Sequence, residues 1–158
     1  MSLRFTAMPT QDVRALQNGG KDANGHVPER HISDGTAVPC RHCLTNIAKG
    51  DPFLILAHRP FPELQPYAEL GPIFLHADAD QCPRYGQEHQ MPAMYRSRHQ
   101  LLLKGYRDND RIYYGTGQIV EPAVLEEKAA ALLEDPDVAY IHVRSATNNC
   151  YQFRIDRA

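Results

Sequence analysis

Neither sign of charge prevails in this chain: 17 basic residues stand against 19 acidic ones, for a formal net charge of −2. Such a balance gives no global electrostatic footprint for nucleic acid or for an anionic membrane. Long apolar runs are missing too. The longest, five residues as in Phe53 to Ala57, fall far short of the ~20 residues that a helix needs to cross a bilayer. The first residues lack the apolar core of a signal peptide, because Thr10-Gln11-Asp12 and Arg14 interrupt it. A cytoplasmic protein with no membrane association is the expectation. There is no internal repeat, no low-complexity tract, no Gly-rich phosphate loop, no Gly-x-Ser-x-Gly elbow and no His-Glu-x-x-His. Acids are plentiful, but none stands in an apolar setting that would advertise a raised pKa. Cysteines number only four, and without a secretion signal they argue against a disulfide framework. Metal ligation, redox chemistry or plain burial are left for them.

What is there suits an ordinary folded chain. At 158 residues, with 42% apolar and 23% charged residues, residues 1–158 read as a single domain able to bury a core without staples. Leu3 to Met8 reads as an opening strand and Thr10 to Asn18 as a helix, stopped by Gly19-Gly20. Gly20 to Pro39 carries almost no apolar periodicity and reads as one long loop. Phe53 to His58 and Ile73 to His76 are compact apolar strands. Leu101 to Tyr106 and Ile112 to Val120 look like a hairpin turned by Arg107-Asp108-Asn109-Asp110. Gly115 and Gly117 imply a bulge or a close backbone approach there. The clearest helix starts at Pro122 and is closed by Asp135-Pro136, with Leu125, Ala129, Leu132 and Leu133 as its apolar stripe. Val138 to Arg144 and Tyr151 to Ile155 form a second hairpin. The fold class expected is α+β: a mainly antiparallel sheet with one or two packed helices and a loop-rich Cys/His knuckle.

That knuckle is Cys40-Arg41-His42-Cys43, followed later in the chain by His76 and Cys82. Cys-x-x-Cys puts two sulfurs on one side of a tight turn, and a second His/Cys pair can close a tetrahedral site. Thiolate-rich ligands select zinc, whereas calcium and magnesium want oxygens. Three cysteines and one histidine fill the sphere, so the zinc would be structural. Should Cys82 stay away, zinc would keep an open position for water, the route to a hydrolase; Cys150 is the substitute ligand. A dithiol oxidoreductase at Cys40/Cys43 is the other enzymatic alternative. A His between the cysteines favours a thiolate, but Gly50-Asp51-Pro52 arrives too soon for a thioredoxin-like helix.

The knuckle running through Ile47 to Lys49-Gly50-Asp51 looks like the first half of treble-clef zinc sites. The ligand order resembles zinc fingers of the poly-ADP-ribose polymerase and LIM kinds, in which the last His and Cys lie closer together. The chain as a whole resembles an uncharacterised bacterial family, domain of unknown function 1203. The likeness is carried by Pro39-Cys40-Arg41-His42-Cys43-Leu44, Arg59-Pro60-Phe61, Tyr67, Gly71-Pro72-Ile73-Phe74-Leu75-His76, Leu102 to Tyr106, His142-Val143-Arg144 and Cys150-Tyr151. The resemblance implies a single-domain bacterial protein and no activity.

Two further groups draw notice. His142 and Arg144 share a strand face, where an arginine calls for a carboxylate, carbonyls or an anionic ligand; His58 is a third candidate for that group. Arg96, Arg98, His99, Lys104, Arg107 and Arg111 interleave with Tyr95, Tyr106, Tyr113 and Tyr114. Such a stretch can stack bases and contact phosphates, but in a chain of balanced charge a solvated strand face is favoured over nucleic acid. The leading expectation is a small zinc-stabilised binding or interaction protein whose partner and oligomeric state the sequence does not name.

Overall fold

Eight strands and two α-helices follow one another in a computed structural model that describes residues 1–158. They are β1 (Leu3–Thr6), α1 (Thr10–Gln17), β2 (Glu29–Ile32), β3 (Pro52–His58), β4 (Gly71–His76), β5 (Leu101–Tyr106), β6 (Gln118–Val120), α2 (Leu125–Leu133), β7 (Tyr140–Ser145) and β8 (Tyr151–Arg157). Every pairing between them is antiparallel, and the fold is α+β. The strands divide between two sheets, ordered β1-β8-β7-β5-β6 and β2-β3-β4, a division that no hydrophobic pattern announced. The chain likewise divides into two compact units. One holds residues 1–6, 61–69 and 87–158, the other residues 7–60 and 70–86.

The first unit is built on the five-stranded sheet. On one face Leu101, Leu103, Ile141, Val143, Phe153 and Ile155 are buried, and α2 lies against β5 and β8. Leu125, Ala129 and Leu133, one helical turn apart, form the buried stripe of α2. The opposite face is polar and aromatic. The register sets Lys104 opposite His142, Leu102 opposite Arg144 and Tyr106 opposite Tyr140. Phe61 packs edge-on against Tyr106 and tilted over His142. The expected second arm of the β5 hairpin is shorter than the sequence implies. Tyr106 and Ile112 make a single bridge, and true pairing resumes only at Gln118–Val120. In between, the chain loops out through Gly115, whose φ is +98°, and turns Thr116 inward onto Gly105, whose N–H donates to the Thr116 hydroxyl at 2.9 Å. The close approach expected near Gly115 and Gly117 is therefore made by Gly105.

The second unit holds α1, the three-stranded sheet and the knuckle. Val13 of α1 packs with Val38, Ile47, Leu54, Leu56, Ile73 and Leu75, and Cys40, Cys43 and Cys82 belong to the same cluster. The segment read as an unbroken loop from Gly20 to Pro39 contains β2, paired with β3 from Glu29↔Ile55 to Ile32↔Pro52. All four residues of β2 are exposed. A strand with neither face buried has no alternation to show, and only its ladder hydrogen bonds define it.

Candidate metal centre

The knuckle is closed by backbone hydrogen bonds. Leu44 donates to the Cys40 carbonyl and Cys40 donates to the Thr45 carbonyl, both at 3.0 Å. Leu44 takes the left-handed conformation, φ 55°, which folds the turn tightly enough to bring both sulfurs to one side. The Asn46 side chain secures the base of the turn, accepting from the Val38 N–H at 2.8 Å. His76 arrives at the end of β4, and its own N–H donates to Cys40 Sγ at 3.4 Å. The five residues between His76 and Cys82 do not carry Cys82 away. A single 3-10 turn, Ala79–Gln81, takes up the slack, and Cys82 N–H closes it on the Ala79 carbonyl.

One ligand atom from each of Cys40, Cys43, His76 and Cys82 lies within 4.8 Å of the other three, and all four residues are buried. Cys40 Sγ is 3.5 Å from Cys82 Sγ, and Cys43 Sγ is 3.4 Å from His76 Nδ1. This group can hold a metal ion. Cys150 takes no part: it is half-exposed at the β7–β8 turn, its sulfur directed at the Asn148 carbonyl.

Helix α1 braces two of the candidate ligands through their backbone. Arg14 donates to the Cys82 carbonyl and Gln17 to the His76 carbonyl, each at 2.8 Å, and Arg14 also holds Gln17 in place. His42, read in the sequence only as a modulator of the thiols, is fully buried. Its Nδ1 lies 3.2 Å from Cys82 Sγ and its Nε2 lies 2.9 Å from Thr10 Oγ1. Its position between two cysteines was the only sign in the sequence of this contact.

The protonation of the cluster follows from its crowding. Hydrogen bonds from Cys40 and then Cys82 hold the Cys43 thiol far below its ordinary range. Hydrogen bonds to the Cys40 and Cys43 sulfurs raise His76 to about 10. Cys82 is pushed up by its hydrogen bonds to Cys40 and Cys43 and by burial. Burial first, then the Arg14 charge, pushes His42 down, which suits a neutral ring that bonds through both nitrogens. These opposed shifts are those of thiols and an imidazole crowded into one buried group. A metal ion bound there would displace protons from the thiols and the imidazole.

The other sequence candidates fall elsewhere. His142 and Arg144 lie on β7 in the first unit, both buried, with Arg144 Nη2 3.3 Å from His142 Nδ1. His58, at the end of β3, lies in the second unit. Burial and the Arg41 charge lower it to about 4. The basic, tyrosine-rich stretch does not form one surface. Tyr95 and Tyr106 are fully buried. Arg96, Lys104 and Arg107 pair with Glu126, Glu69 and Asp137.

No helix is long and apolar enough to cross a membrane. A family model described as "Protein of unknown function (DUF1203)" matches residues 37–157, a span that takes in all four candidate ligands and leaves β1, α1 and β2 outside. No curated protein and no solved structure matches the chain.

Proposed function

The chain belongs to the DUF1203 family, whose function is unknown, and from that premise we propose that it is a small bacterial, cytoplasmic binding or interaction protein stabilised by a structural zinc ion. The observation that carries this reading is the convergence of three thiols and one imidazole, all buried, within 4.8 Å. Zinc–sulfur bonds of ~2.3 Å at tetrahedral angles put neighbouring sulfurs ~3.8 Å apart. The Cys40–Cys82 separation of 3.5 Å is already close to that. Cys40, Cys43, His76 and Cys82 would hold the ion, and the backbone N–H of His76 together with His42 would offset thiolate charge. Bound there, zinc would tie the knuckle to the end of β4 and contribute directly to folding free energy.

Four protein donors leave no position for water, which weighs against a hydrolase. Burial weighs against a dithiol oxidoreductase, because Cys40 is 0% exposed and an exchanging thiolate must reach its substrate. A reducing compartment would keep the thiols free for metal. Residues 1–158 are read as one folding domain, since each compact unit is assembled from separated stretches of chain.

Elemental analysis and a thiol count on the purified protein test the proposal. One zinc per chain, with the knuckle thiols slow to react until a chelator is added, is the expected result. Absence of metal together with fast, reversible oxidation of Cys40 and Cys43 would overturn it.

A further inference from the structure

Arg144 is bonded incompletely for so buried a cation. Its side chain is 5% exposed. Nη1 donates to the Asn149 carbonyl at 3.2 Å. Nη2 is divided among the Tyr106 hydroxyl at 3.4 Å, His142 Nδ1 at 3.3 Å and Glu69 Oε1 at 3.3 Å. Nε is buried and has no partner at all. A guanidinium offers Nε–H and one Nη–H side by side, a fork that matches the two oxygens of a carboxylate. Arg154 shows the fork filled, with Nε and Nη2 both donating to Asp156. In Arg144 only half of the same fork is used.

The acid that half-fills it is poorly suited to the task. A single oxygen, Glu69 Oε1, serves both Arg144 and Lys104 Nζ, the latter at 3.2 Å. Two cations therefore share one carboxylate. Glu69 is also 44% exposed, against 5% for Arg144 and 15% for Lys104. It ends the Phe61–Glu69 segment, which has neither helix nor strand and carries Pro62 and Pro66. Leaving a buried donor unpaired costs free energy, so a second carboxylate oxygen on Nε is an unmet demand of the fold.

We propose that Arg144, Lys104 and Tyr106 form a binding site for a small carboxylate, and that Glu69 is an internal stand-in which the ligand displaces. The ligand's two oxygens take the Nε and Nη2 positions of Arg144, one of them also receiving Lys104, and the Tyr106 hydroxyl lies alongside. The site gives a ligand class to the binding role proposed above and rests on that reading.

Calorimetric titration of the full chain with benzoate and with succinate, at constant ionic strength and beside inorganic phosphate, is the test. Saturable carboxylate binding is expected, tightened about tenfold or more by Glu69→Gln, because an internal competitor lowers apparent affinity by the fraction of sites it occupies. Lys104→Met should weaken it and Arg144→Lys should abolish it, since an ammonium has no fork. Folding of each variant is checked by circular dichroism, and Lys104→Met, at a half-buried position, keeps the test open if the Arg144 variant does not fold. No carboxylate binding to a folded Glu69→Gln protein, binding of phosphate alone, or undiminished binding after Lys104→Met would overturn the proposal. Zinc content of the same samples separates the two ideas: a zinc-free protein that binds carboxylate defeats the clasp and leaves this site standing.

Discussion

His42 Nδ1 lies 3.2 Å from Cys82 Sγ, while its other nitrogen lies 2.9 Å from the Thr10 hydroxyl. A ring fixed at both ends presents Nδ1–H to the sulfur if Thr10 donates to Nε2. A thiolate that receives such a bond carries less charge into a buried site. His42→Phe should keep one metal per chain but weaken metal affinity by about 10–100-fold. Competition with a chromogenic chelator measures this, and unchanged affinity would remove His42 from the account.

Cys82 and Cys150 are the two sequence candidates for the fourth ligand, and only Cys82 reaches the group. Cys82→Ser should lose metal and lower the thermal midpoint, whereas Cys150→Ser should change neither. Metal content and thermal unfolding of the two variants, with and without a chelator, decide between the ligands. A metal-replete Cys82→Ser protein would show that the fourth donor lies elsewhere.

His58 supplies a pH dependence with a definite sign. Its pKa is about 4 in the folded chain against an ordinary value of 6.5. Above 6.5 the ring is neutral in both states and its contribution is whole. As pH falls from 6.5 towards 4 the unfolded chain takes up a proton that the folded chain refuses, and stability is lost. The loss is at most about 3 kcal/mol. Urea unfolding near about pH 7.5 and about pH 5 should show a smaller difference for His58→Gln than for the unaltered protein. Equal differences would mean that His58 carries no such strain.

Gly105 is the place where a single methyl group should tell. A Cβ there would stand 2.8 Å from Thr116 Oγ1 and 2.9 Å from Thr116 Cβ. Gly105→Ala should therefore destabilise by about 1–3 kcal/mol, as overpacking of a tight site does. The midpoint of chemical unfolding checks it. Gly117→Ala, with open space around the new atom and φ in the ordinary range, is the control.

Local rules were legible in the order of residues. Pro122 and Asp135-Pro136 bracket α2, and of its expected stripe Leu125, Ala129 and Leu133 are buried in the core while Leu132 is only half-buried. The apolar strands β3, β4, β5, β7 and β8 stood out because one or both faces are buried, and burial leaves a period in the sequence. The four residues that converge were legible because metal chemistry restricts both residue type and spacing.

Other features belong to the tertiary structure alone. β2 is exposed on both faces, so its ladder leaves no trace in hydrophobicity. The 3-10 turn that returns Cys82 to the cluster depends on the closure of its backbone. The bracing of His76 and Cys82 by Gln17 and Arg14, and the sharing of Glu69 by Lys104 and Arg144, join residues that are remote in the chain. Such contacts have no period and no fixed spacing. By itself the sequence determined which side chains could ligate a metal and which segments would be strand or helix. Only the folded chain decided which cysteine completes the cluster and which arginine is left with an unfilled fork, because both depend on where loops come to rest after the core has packed.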